Sequence, residues 1–186
     1  MFILYAIPLS IVAGLLMGGR LDRLADVQFR WGWLVFVGLL VQVILFAGPV
    51  ARAVGDAGPA IYVASTAAVL VAVIRNVRIP GLAVVAVGAA SNLLAIVANG
   101  GVMPASPEAV AGLGPAGEGF SNSVVKADPV LRPLTDVFAM PAWVPLANVF
   151  SVGDVLIGVG VALVIALGMR GHATNADPDR PGSPAG

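Results

Sequence analysis

The sequence predicts an all-α fold: an integral membrane bundle of five transmembrane helices under an external Pro/Gly-rich loop cap. Three observations predict it. Of 186 residues, 59% are hydrophobic and 11% charged, with a mean hydropathy of +0.97. A water-soluble globule sits near half apolar and a quarter charged, so that class is excluded together with a disordered chain. The apolar residues gather in five stretches that reach or approach the roughly 20 helical residues needed to cross a hydrocarbon core of about 30 Å. None of the stretches alternates with a period of two, which removes transmembrane strands.

The first stretch, about 1–18, has no charge before Arg20. It lacks the basic start of a signal peptide and reads as a retained span. Gly14 and Gly18 are four apart on it, a spacing that lets helix backbones approach. Packing within the chain is the first reading of that pair, and homo-oligomerisation is the rival. From Arg20 to Arg30, Leu21, Leu24, Ala25 and Phe29 alternate with Asp22, Arg23, Asp26 and Arg30 at roughly helical spacing, which suits a short surface helix serving as a connector.

The second stretch, 31–47, begins with Trp31 and Trp33 beside Arg30, residues that anchor a helix at a membrane interface. The third, 59–74, is short. The fourth, 79–98, carries Gly88, Ala89 and Ala95; the fifth, 152–169, carries Gly153, Gly158, Gly160 and Ala162. Small residues at such positions favour close helix packing. Residues 1–170 thus read as one membrane domain. The Gly/Pro/Asp-rich tail 171–186 is expected to be disordered.

Loop arginines set the expected orientation. Arg20, Arg23, Arg30, Arg75, Arg78, Arg170 and Arg180 fall on one side, against Arg52, Lys126 and Arg132 on the other. The N-terminus is expected outside and the C-terminus in the cytoplasm, in a bacterial plasma (inner) membrane. An odd number of spans agrees, because it places the termini on opposite sides.

The loop 99–151 is too long for a plain connection and is expected to be functional or to carry its own structure. Asn99-Gly100-Gly101 ends the fourth helix. Ser106-Pro107-Glu108 starts another, with Ser as cap, Pro at the first position and an acid in the first turn. That helix stops by Gly112 or Gly114, and Asp128-Pro129 marks a further turn. Residues 130–150 turn apolar again but are broken by Pro133, Pro141 and Pro145, which forbid a long regular helix. Two readings stay open: a lid over the helix ends, or a re-entrant segment.

The inventory closes off most chemistry. The chain has no cysteine and one histidine, so thiolate, iron–sulfur and multi-histidine metal sites are excluded. No cofactor and no metal are expected. The net charge is zero, which gives no nucleic-acid footprint. Intramembrane polar groups are the default site candidates. They are Gln42, Ser65, Thr66, Ser91, Asn92 and Asp154, with Asn99 seven residues beyond Asn92 on nearly the same helix face. Each also has a structural reading. Gln42 and Asn92 fit hydrogen bonds between helices. Ser151-Val152-Gly153-Asp154 has capping-box spacing, with a proton-relay or cation role for Asp154 as the rival. Asp136, from the loop, is a candidate second acid to pair with Asp154.

Three stretches carry a family likeness. Ala98-Asn99-Gly100-Gly101-Val102-Met103-Pro104, Ser121-Asn122-Ser123-Val124 and Pro145-Leu146-Ala147-Asn148-Val149-Phe150-Ser151-Val152-Gly153-Asp154 resemble a family of small bacterial polytopic membrane proteins, a domain of unknown function. The opening Gly18-Gly19-Arg20-Leu21 is similar too, and the likeness covers nearly the whole chain except the tail. It implies a bacterial inner-membrane protein and supplies no activity or catalytic residue.

The expected function is non-catalytic: binding of a small apolar or amphipathic ligand, or of a partner membrane protein, at the external mouth. The candidate ligand residues are Asn92, Asn99, Asn148 and Asp154, with Met103 and Trp143 as apolar walls. A transporter, or the substrate-binding subunit of one, is the alternative. A lipid-acting enzyme is the third reading, and it would need Asp136 and Asp154 to act together.

Overall fold

The structure is a computed structural model and describes residues 3–113 and 123–171. It is mostly helical, in keeping with the all-α expectation. Five helices of 14 to 18 residues occupy the five apolar stretches: α1 (Ile3–Leu16), α2 (Gly32–Leu45), α4 (Gly58–Arg75), α5 (Leu82–Ala98) and α7 (Val152–Gly168). Two shorter helices, α3 (Gly48–Val54) and α6 (Pro107–Ala111), complete the set. The third apolar stretch, read as short, holds the longest helix. Gly58-Pro59 starts α4, with Pro in the first turn, and α3 leads into it almost without a break. The continuous helical run 48–75 is long and apolar enough to cross a membrane by length and composition, and the other four long helices are shorter apolar helices.

The helices stand side by side in the order α1, α7, α5, α4, α2. Chain neighbours α1 and α2 therefore sit at the two edges of the row. The connector between them crosses under one end of it. There Leu21–Asp26 forms a short helix, of the 3-10 kind, where the sequence reads a short helical connector. Beyond it Val27 and Phe29 pack against the core of Val73, Ile79, Leu82 and Val85. At the opposite end a second core joins Leu45, Tyr62, Ala95, Ile96 and Met103.

Glycines explain why α5 and α7 approach so closely. A Cβ on Gly88 would fall 2.5 Å from the Gly153 carbonyl oxygen, and one on Gly160 would fall 2.7 Å from the Val85 nitrogen. Backbone thus packs on backbone. Gly14 and Gly19 serve α1 in the same way: their missing side chains leave room for Met169, which is fully buried. Between α2 and α4, Gly38 faces Val69, and Gln42 Nε2 donates to Thr66 Oγ1 at 3.3 Å. The expected intramolecular use of small residues is present at Gly14, Gly88, Gly153 and Gly160, and the expected interhelical bond of Gln42 is present too. Gly18 departs from it: a Cβ there would meet nothing within 4 Å, its φ is +77°, and the packing role passes to Gly19.

The segment between α5 and α7 folds over the second end of the row. Gly100 and Gly101 have positive φ, and Gly101 N–H donates back to the Ile96 carbonyl at 2.8 Å, which closes α5. Strand β1 (Met103–Ala105) pairs in parallel with β2 (Ser123–Val125), and Asp136 bridges to Ala105 on β1. Ser106 caps α6 by accepting from Ala109 N–H at 3.0 Å, and α6 ends at Ala111, before Gly112. The apolar stretch after Val130 is irregular, holding a 3-10 turn at Arg132–Leu134 and a two-residue hairpin of β3 (Phe138–Ala139) with β4 (Val149–Phe150). Residues 121 and 122 of the likeness stretch, and the tail expectation for 172–186, lie outside the described residues.

Candidate functional site

At the cap end, the start of α7 meets the last turns of α5. Ser151 is fully buried and sits just before α7. Its Oγ accepts from Asp154 N–H at 3.0 Å, and its own N–H donates to Asp154 Oδ2 at 3.0 Å. This is the capping box read from the sequence, and it places the carboxylate at the positive end of the helix. Asn92 reaches across from α5: Nδ2 donates to Asp154 Oδ1 at 2.9 Å, and Oδ1 accepts from Ser151 Oγ at 2.8 Å. Gly153 makes the reach feasible, since a Cβ there would collide with Asn92 Oδ1. Both Asp154 oxygens and both polar atoms of the Asn92 amide are therefore engaged within the chain.

Asn99 is a clamp. It caps the C-terminus of α5, donates to the Ala95 and Val130 carbonyls at 2.9 and 2.8 Å, and accepts from Val130 N–H at 2.9 Å. Lys126 Nζ donates to the same Oδ1 at 3.3 Å. The other end of the row repeats the device. Asn76 caps α4, donates to the Ala72 and Arg30 carbonyls, and accepts from Arg30 N–H at 2.7 Å. Each clamped residue precedes a large apolar residue with positive φ, Leu131 (56°) and Trp31 (60°). Leu146 (φ 56°) follows Pro145, whose carbonyl accepts from the Tyr5 hydroxyl. A left-handed conformation costs an L-residue roughly 1–2 kcal/mol, so something must hold it. In all three places a helix side chain does.

The remaining candidates separate. Met103 is buried in β1 within the core beneath the cap. Trp143 is 84% exposed at the outer surface of the cap. Asn148 Nδ2 donates to its neighbour's carbonyl, that of Val149, at 2.7 Å. The structure therefore joins Asn92 with Asp154, fixes Asn99 on Val130, and leaves Trp143 away from both.

Asp136 is the residue whose environment the sequence did not disclose. It is 3% exposed. Its backbone N–H donates to the Pro104 carbonyl at 2.9 Å, and its carbonyl accepts from Ser106 N–H at 3.0 Å. The Ser123 hydroxyl donates to Oδ2, while Oδ1 is buried with no hydrogen-bond partner among the described residues. Burial pushes its pKa up to about 7; the Ser123 bond pulls the other way, and the negative charge of Asp154 adds to the rise. The only signal in the sequence was an acid inside an apolar segment. Asn76 could have been found, because like Asn99 it is an asparagine at the end of an apolar stretch, separated from it by Arg75 alone.

Chemically, the site offers a satisfied Asn–Ser–Asp network and one buried acid. Among the described residues no group of three or more His, Cys, Asp or Glu could hold a metal ion. A model described as "Family of unknown function (DUF5317)" matches residues 26–166. The match begins after Gly18-Gly19-Arg20-Leu21, so the likeness of that opening stretch lies outside it. No curated protein and no solved structure matches the chain.

Proposed function

The chain belongs to the family of unknown function DUF5317, and from that premise we propose that it is a non-catalytic, multi-pass integral membrane protein whose cap end binds an amphipathic small molecule or a partner membrane protein. The observation that carries this reading is the outward placement of large apolar side chains. Along the edge helices, Leu9, Leu16, Phe36 and Val43 are 60% exposed or more. Large apolar side chains turned outward at both edges of one chain are unusual on monomers in water and normal for a surface solvated by lipid. At 1.5 Å per residue, helices of 14 to 18 residues are about 21–27 Å long, somewhat short of a hydrocarbon core of about 30 Å. Local thinning or flanking anchors accommodate such a mismatch.

The cap supports the binding half of the proposal. Val124, Val125, Val130, Trp143 and Leu146 are all exposed on it. Since Asn92, Asn99 and Asp154 are occupied within the chain, recognition falls to this apolar surface more than to the asparagines. The bacterial plasma membrane, with the arginine-rich end cytoplasmic and the cap outside, remains the proposed location. Transport is the rival reading, but α5 and α7 run unbroken where a transporter typically places interrupted helices.

The test is purification of the full chain in native-lipid nanodiscs, with bound species read by native mass spectrometry. The wild type should retain a discrete molecule or protein that the double variant Trp143→Ala, Leu146→Ala loses while keeping its helical content. Equal retention by the wild type and the double variant, or retention by neither, contradicts the assignment to the cap. Substrate-dependent flux in liposomes would instead establish the transporter.

A further inference from the structure

The cap is organised around a buried carboxyl group that the binding proposal does not use. Asp136 is tied by its backbone to β1 on either side of Ala105, through Pro104 and Ser106, and β2 also pairs with β1. That ladder fixes its backbone, and the Ser123 hydroxyl of β2 holds its carboxyl. An ionised carboxylate here would be an anion cut off from water, with one oxygen lacking any hydrogen bond among the described residues. Such a group costs several kcal/mol unless it is neutralised.

Among the described residues no cation is placed to neutralise it. From its own segment, Arg132 lies 3.9 Å from Glu108 of α6. From the β2 side, Lys126 points its ammonium at Asn99. From α7 the facing charge is Asp154, which has the same sign. Neither α5 nor β1 contains a titratable side chain.

We propose that Asp136 is a proton-binding site that holds the cap closed, with the neutral acid as the closed form and the carboxylate as the form that releases the ladder of β1, β2 and Asp136. On opening, the acid O–H bond breaks, the proton passes to water and the carboxylate is hydrated; closing takes one proton back. This goes beyond the binding proposal and does not depend on it.

The direction of the pH effect follows from linkage. The closed form has the higher pKa, about 7, against an ordinary 3.8, so the closed cap is favoured at low pH. Its advantage falls about tenfold per pH unit as pH rises from near 3.8 to near 7, then levels off.

The experiment uses the full chain in nanodiscs, comparing wild type with Asp136→Asn. Infrared difference spectra should show a carboxylic-acid carbonyl band that disappears as pH rises through about 7 and is missing from the variant. Hydrogen exchange in 103–106 and 134–137, corrected for intrinsic rates, should rise about tenfold per pH unit between 3.8 and about 7 in the wild type, level off above that, and stay flat in the variant. An Asp136 that is already ionised near pH 6, or an identical exchange profile in the two proteins, overturns the proposal. Should Asp136→Asn fail to fold, Ser123→Ala replaces it. Loss of that hydroxyl must move the midpoint of the band upward, and an unmoved midpoint overturns the assignment.

Discussion

Asn99 holds Val130 by both polar groups of its backbone, accepting from the N–H at 2.9 Å and donating to the carbonyl at 2.8 Å. Asn76 does the same to Arg30 at the far end of the row. One residue type, at the same place relative to its helix, pins the cap at one end and the connector at the other. Asn99→Ala strands two part-buried backbone groups, each worth about 1–3 kcal/mol when left unpaired. Exchange protection should fall around residues 126–134 and remain unchanged around residue 30. Asn76→Ala should give the opposite pattern. The double variant should be additive in thermal unfolding, since the sites share no partner.

The closeness of α5 and α7 rests on glycine. Gly153→Ala drives a methyl group into the Asn92 amide and separates the Asn92–Ser151–Asp154 network, and we expect a loss of about 3 kcal/mol or failure to fold. Gly48→Ala meets nothing within 4 Å and should change stability by less than about 0.5 kcal/mol. Denaturation of the two variants side by side in one bilayer mimic checks the contrast.

Leu131 tests whether the clamps hold strained backbone. It sits at φ 56°. Leu131→Gly relieves a penalty of roughly 1 kcal/mol and loses chain stiffness in exchange, so stability should stay within about 1 kcal/mol of wild type. Leu131→Val keeps the strain and adds a β-branch, and should cost more than that. Equal effects of the two substitutions would mean the left-handed conformation is not populated.

Trp143 separates stability from recognition. Being 84% exposed, it contributes little to folding, so Trp143→Ala should shift the unfolding midpoint by no more than an ordinary surface change. Capture of whatever the cap retains should fall sharply in the same variant, as quantified by native mass spectrometry.

The sequence disclosed those features that depend on local pattern. Ser151 and Asp154 announced their capping box because its partners are three residues apart. Ser106-Pro107 announced α6 for the same reason. The order of helices in the row was hidden, because it depends on which glycine faces which backbone, as Gly88 faces Gly153. Asn99 and Asn92 looked alike as polar groups on one helix face, yet one grips a loop 31 residues away and the other a helix cap 59 and 62 residues away. Asp136 drew notice only as a loop acid, since its burial arises from pairing with β1, a contact between segments with no periodic signature.

The proposed membrane location puts lipid around the row of helices. The absence of cysteine makes site-directed spin labelling direct: single cysteines at Leu9, Phe36 and Val43 can be labelled without background. In nanodiscs, all three labels should relax readily with oxygen, which concentrates in hydrocarbon, and should be shielded from a water-soluble nickel complex. A label at Trp143 should show greater access to nickel. Free access of the nickel complex to Phe36 and Val43 would place those faces in water and contradict the membrane reading.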